Sequence, residues 1–262
     1  MKFLWSRLNK LWLFLALVIG ISISVVQCGV SASKNIPATN SPYTMWISID
    51  QFTFVPTIFF ILLPLIASLP ASTLLKEDFT NGYFYKLKMG KSIKQILLGY
   101  LEIAFMTGFI VIAVPLLFNF LSWFMILPNV KPDNLLNINI GARNFTMLFV
   151  SLYYSHPFVH AILSIIFSSL WGGLFSVFAM VTSLWIKNKF AAMCTGLVLQ
   201  IVLLLMNATI HLPYLISYSP ADFLRELPGI MTNIYVVVFM TAILLLYCMI
   251  MFHVDEKRLV EL

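Results

Sequence analysis

Charged residues are scarce in this sequence. Only 10% of its 262 residues are Asp, Glu, Lys or Arg, whereas 61% are hydrophobic, and the mean hydropathy is +0.95. Soluble domains usually carry charge on roughly a quarter of their residues. The low charge therefore excludes an ordinary soluble fold and predicts that most of the chain lies in lipid.

Residues that bind metals or carry out catalysis are also few. The chain has three cysteines and four histidines, and only His156 and His160 are spaced to share one helical face. Two ligands without a neighbouring Cys, Asp or Glu are too few for a zinc site. An intramembrane enzyme would need converging polar groups at one depth, whereas Glu102 and the two histidines lie in segments that we expect near opposite membrane faces. We expect no catalytic residue, metal or cofactor in this chain.

A nucleotide-binding loop is missing as well. Gly90, Lys91 and Ser92 match the last three residues of a phosphate-binding loop, but that loop also requires a glycine five residues earlier, where this chain has Tyr85. We therefore expect that the chain does not bind ATP by itself.

Long apolar runs, in contrast, are abundant. A transmembrane helix needs about 20 largely apolar residues, and six segments approach or exceed this length: 11–28, 54–75, 96–125, 157–186, 190–211 and 232–252. These runs are apolar on all faces, which favours helices that contact lipid. The prediction is an all-α integral membrane protein with six transmembrane helices, formed by a single transmembrane domain over residues 1–262.

The N-terminal residues predict a helix in the membrane interface. Over residues 2–10, Leu4, Trp5 and Leu8 recur at helical spacing, with polar and basic side chains on the other side. Such a pattern is typical of a helix that lies in the interface plane. We expect an interfacial elbow helix that leads into the first span.

The distribution of Lys and Arg predicts the orientation. If the N-terminus is inside, only four of the sixteen basic residues fall in outer loops, namely Lys34, Lys131, Arg143 and Arg225. Twelve fall on the inner side: Lys2, Arg7, Lys10, Lys76, Lys86, Lys88, Lys91, Lys94, Lys187, Lys189, Lys257 and Arg258. The positive-inside rule then places both termini in the cytoplasm, with the chain in the plasma (inner) membrane. We attribute the net charge of +6 to topology and contact with anionic lipid rather than to nucleic-acid binding.

Several residues within the spans are candidates for packing or gating. Pro64 in the second span removes a backbone donor and should bend the helix. Gly172 and its neighbour Gly173 lie in the fourth span, where small residues recur every four positions: Ser164, Ser168, Gly172 and Ser176. A stripe of small side chains lets another helix approach closely, either as static packing or as a sliding interface.

Glu102 is the only clear acid within a predicted span. Buried charges are costly in lipid, so this carboxylate should have a partner or reach the surface. It is placed to meet Arg7 or Lys10 of the elbow helix or to extend towards the inner surface. A part in coupling or substrate passage is the functional alternative.

The loop 76–95 between the second and third spans is amphipathic. Phe79, Tyr83 and Phe84 recur at helical spacing beside Lys86 and other lysines. Such a segment either lies on lipid or docks on a soluble partner, and its composition leaves both alternatives open.

Taken with this loop, the order of elements resembles the permease subunit of the type 2 ABC exporters over essentially the whole chain. The similarity includes the elbow helix, six spans, a very short second inner loop, and a proline-containing segment over 212–231 that is similar to an extracellular re-entrant segment. The sequences that carry it are KEDFTNGYFYKLKMGKSIKQILLGYLE, KNK and HLPYLISYSPADFLRELPG. Family members commonly have proline where this chain has Met89 and Gly90, and often lysine where it has Tyr100.

The resemblance implies a function and its partners. Two permease copies, identical or paralogous, would form the path, and each would rest on a separate ABC ATPase subunit that holds ATP and Mg. The loop 76–95 would be the coupling segment, with contacts to the ATPase from Glu77, Asp78, Phe79, Gly82, Tyr83, Phe84 and Lys86. We expect an amphipathic or hydrophobic cargo, in the first place a peptide. Export of lipid, polysaccharide or drug stays an alternative, as does a non-transporting membrane sensor or intramembrane enzyme.

Overall fold

A computed structural model describes residues 2–33, 40–90, 92–135, 141–143 and 145–261. Lys34 and Lys91, which were part of the orientation and nucleotide-loop predictions, lie outside these ranges. The predicted all-α class is confirmed, since the regular elements of the described ranges are helices and the β-structure recorded there is an isolated bridge between Ile216 and Met231. The helices are α1 (Lys2–Arg7), α2 (Lys10–Ala32), α3 (Pro42–Met45), α4 (Val55–Ser68), α5 (Leu74–Thr80), α6 (Tyr83–Lys88), α7 (Ile93–Ile126), α8 (Val150–Ser155), α9 (Pro157–Ser183), α10 (Lys189–Met193), α11 (Thr195–Thr209), α12 (Pro220–Phe223) and α13 (Ile234–Glu261).

Four helices among the described residues, α2, α7, α9 and α13, are long and apolar enough to cross a membrane. The shortest of them, α2, has 23 residues, which at 1.5 Å per residue gives a length of about 35 Å. The hydrocarbon core of a bilayer is roughly 30 Å thick. The fold is therefore consistent with a multi-pass membrane protein.

The second and fifth predicted spans are shorter than expected. Helix α4 has 14 residues and α11 has 15, so each is only about 21–23 Å long. The predicted span 54–75 is interrupted after Ser68 because Pro70 has no N–H to donate, and hydrogen-bonded turns carry the chain on to α5. In the predicted span 190–211, the turn residue Cys194 separates α10 from α11.

The elbow helix is shorter than the predicted range 2–10. It ends at Arg7 because Asn9 begins the next helix: its side-chain oxygen accepts a hydrogen bond from the Leu11 N–H at 3.0 Å. An Asn at this position satisfies a backbone donor that the first turn of a helix leaves without a partner. The interfacial segment and α2 are therefore separate helices joined at a defined corner.

The most extensive contact between two helices joins α7 and α9, which form the centre of the bundle. Gly108 faces Gly172 and Ser176 so closely that a Cβ on Gly108 would lie 2.7 Å from the Gly172 carbonyl oxygen. The next residue, Gly173, packs in the same way against Phe105, which lies about one turn before Gly108 on α7. Glycine is required at these positions because the two backbones approach each other directly.

A buried polar network joins α2 and α7 to the segment after α3. Gln27 donates to the Asp50 carboxylate at 2.8 Å and accepts from the Asn119 amide at 2.8 Å. Ser31 also donates to Asp50, and the Trp123 indole donates to Gln27. Because these donors and acceptors lie on different elements, the network fixes how α2, α7 and residues 46–50 are arranged.

The connecting segments gather at two ends of the bundle. One, which we call the basic end, contains α1, α5, α6, the turn 184–188 and the last turns of α13, and these are linked by side-chain contacts described below. At the other end, Tyr43 donates to Asn129 at 2.8 Å and the Glu226 N–H donates to the Ser48 carbonyl at 3.1 Å. Segments predicted on one membrane side therefore contact one another.

Candidate functional site

The predicted coupling segment folds as a helical hairpin, formed by α5 and α6 at the basic end. Gly82 makes the turn with φ of +71°, a left-handed conformation that glycine adopts without steric cost. Just before it, the Asn81 N–H bonds to carbonyls of α5 and ends that helix. The pair Asn81-Gly82 therefore sets the angle at which α6 leaves α5.

The hairpin separates the predicted coupling residues into buried and accessible ones. Asp78 and Phe84 are completely buried, so they pack inside this chain rather than offering a surface. Glu77, Phe79, Gly82 and Tyr83 are half-buried, and Lys86 is exposed.

Two side chains that the sequence did not single out complete the outer face of α6. Tyr85 is 40% exposed and Met89 is 86% exposed, and they flank Lys86. The signal available in the sequence was the apolar spacing, but the spacing alone does not tell which side of a six-residue helix turns inwards.

Asp78 holds the hairpin to the rest of the fold. Its carboxylate accepts hydrogen bonds from the Arg7 guanidinium of α1 and from the Tyr100 hydroxyl of α7, the latter at 2.6 Å. The Arg7 guanidinium also stacks over the Tyr83 ring at 4.5 Å. The hydrogen bond to Asp78 raises the pKa of Arg7. One carboxylate thus links the elbow helix, the hairpin and the third predicted span.

This arrangement corrects one alternative from the sequence. Arg7 pairs with Asp78 rather than with Glu102, which is exposed on α7. No pattern in the sequence indicated the true pair, because the two residues are 71 positions apart and only the corner at Asn9 brings α1 back over α5.

Lys76 ties α5 to the turn between α9 and α10. Its buried ammonium donates to the carbonyl oxygens of Ile186 and Lys187. Burial, and then the nearby Lys189 charge, lower the pKa of Lys76. These two hydrogen bonds hold the turn that follows α9 against α5.

The last turns of α13 also contact this end. The Lys88 ammonium donates to the Leu259 carbonyl at 3.3 Å, and the Trp185 indole donates to Asp255 at 2.8 Å. Arg258 stacks over the Trp185 ring at 4.6 Å. The α5–α6 hairpin is therefore connected, directly or through the turn 184–188, to α1, α7, α9 and α13.

The predicted gating or packing residues lie apart from one another. Pro64 is inside α4, facing Gly196 of α11, where a Cβ would approach the Pro64 ring to 3.1 Å. Gly172 and Gly173 lie in the α7–α9 contact, and Glu102 faces outwards. Gly172 and Gly173 therefore share one helix contact, and neither Pro64 nor Glu102 is part of it.

Side-chain contacts between helices are the main feature of the basic end. Across the described ranges, no group of three or more His, Cys, Asp or Glu side chains is placed to hold a metal ion. The three cysteines, all in described helices or their caps, are free thiols. What the arrangement provides is an accessible α6 face on a hairpin whose inner side is hydrogen-bonded to several long helices.

No family model, curated protein or solved structure matches this chain.

Proposed function

We propose that this chain is the transmembrane subunit of an ATP-driven ABC exporter, and that the α5–α6 hairpin is where a separate ATPase subunit docks. The observation that carries it is the two-sided construction of the hairpin. Its inner side is bound to α1 and α7 through the buried Asp78, while its outer side presents Tyr85, Lys86 and Met89. A segment that receives motion from a partner needs both an accessible surface and rigid connections to the spans.

The position of the hairpin in the chain supports the same function. It follows α4, a helix with an internal proline, and precedes α7, the longest helix of the bundle. Movement of the hairpin would therefore tilt two neighbouring helices together. We propose that two such chains form the path of the cargo and that ATP and Mg stay on the ATPase. The chain would lie in the plasma membrane, with both termini and the hairpin facing the cytoplasm.

The proposed cargo is amphipathic or hydrophobic, and in the first place a peptide. Support comes from the composition of the long helices, which carry many exposed Phe, Leu, Val and Met side chains and very little charge. Apolar surfaces of this kind suit a cargo that enters from the bilayer better than an ion or a sugar.

Co-purification of a tagged chain from its native membrane tests the docking surface. We expect the native chain to retain an ABC ATPase, and the double variant Tyr85→Asp, Met89→Asp to lose it, because charges would replace the exposed apolar contacts on α6. The matched control is Leu135→Asp, an exposed apolar residue distant in sequence from the basic end. Absence of any ATPase from the native chain, or equal retention by the double variant, would contradict the proposal and leave α6 as a lipid-contacting helix.

A further inference from the structure

A cleft of about 360 Å³ opens between the first half of α9 and the segment after α12, away from the basic end. Its walls are mostly apolar and include Leu148, Phe149, Leu163, Ile166, Phe167 and Leu170. Several of these side chains are exposed, so the cleft is accessible from outside the chain. By size and lining it suits an apolar chain rather than a water-filled path.

The acid Glu226 lies in this apolar cleft. Its side chain is only 7% exposed, and neither carboxylate oxygen receives a hydrogen bond of ordinary geometry from the described residues. Burial raises the pKa of Glu226, while His160 and then the Ser164 hydroxyl act in the opposite direction and lower it. A buried carboxylate without a good donor is costly, which indicates that a donor from outside the chain would stabilise it.

His160 leaves a second acceptor at the same place. Its Nε2 lies 2.9 Å from the Leu148 carbonyl oxygen, to which it must donate, because a carbonyl only accepts. In the neutral ring the other nitrogen, Nδ1, then carries a lone pair, and it lies 3.5 Å from the Glu226 carboxylate without a hydrogen bond. In that protonation state, two acceptors face each other at this place. The buried Thr232 hydroxyl, also without a partner in the described chain, lines the same cleft.

Arg225 does not neutralise Glu226, although it lines the cleft. Its guanidinium donates to the Thr57 hydroxyl at 2.8 Å and is influenced by the charges of Asp50 and Asp222. The acids that attract this guanidinium are therefore Asp50 and Asp222 rather than Glu226. The cleft therefore favours a cationic group.

We propose that this cleft binds an amphipathic ligand that carries an ammonium group. The N–H groups of the ammonium would donate to Glu226 and to His160 Nδ1, and the apolar part would lie along Leu163, Phe167 and Leu170 of α9. Binding of such a ligand requires neither ATP nor a second subunit, so it is independent of the proposed exporter function and is tested on the purified chain alone.

Isothermal titration of the full chain in a non-ionic maltoside detergent tests the site with dodecylammonium as the probe. We expect saturable binding, with dodecanol and dodecanoate much weaker because they lack the cation. Glu226→Gln, which keeps the side-chain shape, should weaken dodecylammonium binding by about tenfold or more, the typical effect of losing a hydrogen bond to a charged group. Glu256→Gln, an acid substituted in the same way on α13, should bind like the native chain.

Two further measurements separate a loss of the site from a loss of folding. Leu163→Trp fills the cleft while the acid itself is kept, and it should also prevent binding. Both Glu226→Gln and Leu163→Trp should keep the elution volume of the native chain in size-exclusion chromatography. Binding should also weaken as the pH is lowered through the titration of Glu226, because protonation removes its charge. Equal affinity for dodecanol, or native affinity in Glu226→Gln, would overturn the proposal.

Discussion

At the scale of single residues, the Asp78 side chain joins three elements at the basic end. It is completely buried, and it accepts hydrogen bonds from α1 and α7 at once. We expect Asp78→Asn to lower the free energy of unfolding by about 1–3 kcal/mol, the usual cost when a charged hydrogen-bond partner is lost. Thermal unfolding in detergent measures the change.

The matched control for this prediction is Glu77→Gln, next to it in the chain. Glu77 pairs with Lys189 at 3.5 Å, but both side chains are partly exposed, and exposed ion pairs contribute only about 0–1 kcal/mol. Equal losses of stability in the two variants would show that the Arg7–Asp78–Tyr100 contacts do not hold the hairpin.

Two neighbouring aromatic residues, Phe84 and Tyr85, should separate folding from docking. Phe84 is completely buried, so Phe84→Ala should cost about 3–5 kcal/mol in stability through the cavity that it leaves. Tyr85→Ala should change stability little, because its ring is 40% exposed, but should weaken association with the ATPase. Thermal unfolding and co-purification, measured on both variants, test this.

The sequence predicted Phe84 as a docking residue. Only the direction in which α6 leaves the turn at Gly82 shows that the Phe84 ring points inwards.

At the scale of elements, the α7–α9 contact predicts how substitutions of glycine are tolerated. A methyl group at Gly108 would press on the Gly172 backbone carbonyl, which cannot rotate away, so Gly108→Ala should lower stability by about 1–3 kcal/mol. Gly29→Ala in α2 is the control, since its Cβ would meet nothing within 4 Å. There, alanine should be neutral or stabilise by up to about 1 kcal/mol. Similar melting temperatures for the two variants would show that α7 and α9 do not approach this closely.

The elements themselves were predictable to different degrees. The four long spans follow directly from apolar runs of sufficient length, and α9 begins at Pro157, as predicted. The hydrophobicity of residues 54–75 gave no reason to divide them, yet the chain leaves the helix after Ser68. Pro64 stays inside α4 while Pro70 lies beyond its end, and local sequence does not distinguish a proline that bends a helix from one that ends it.

At the scale of the whole molecule, the sites that carry the functional proposals depend on contacts between distant segments. The pair Arg7–Asp78 and the pair His160–Glu226 each join residues more than 60 positions apart. In the sequence His160 has no neighbouring acid, and Glu226 stands in a loop. Each pair forms because several helices pack around α7 and α9. The sequence therefore shows the charged residues but does not indicate which residues they contact.

The two ends of the bundle also predict accessibility in intact cells. Met89, directly after α6, and Leu135, in the loop after α7, are 86% and 80% exposed. Both are suitable for cysteine labelling once Cys28, Cys194 and Cys248 are replaced by serine. The positive-inside rule places Met89, next to Lys88, in the cytoplasm and Leu135 outside. A membrane-impermeant maleimide should therefore label Leu135→Cys in intact cells and Met89→Cys only after permeabilisation.

The same labelling experiment decides whether the hairpin can meet an ATPase at all. ATP is hydrolysed in the cytosol, so a docking surface for an ABC ATPase has to be reached from that side. If Met89→Cys were labelled in intact cells and Leu135→Cys were protected, α5 and α6 would face outwards. The contacts of Asp78 would then hold a stable outer structure, and Tyr85, Lys86 and Met89 would have no cytosolic partner to receive motion from.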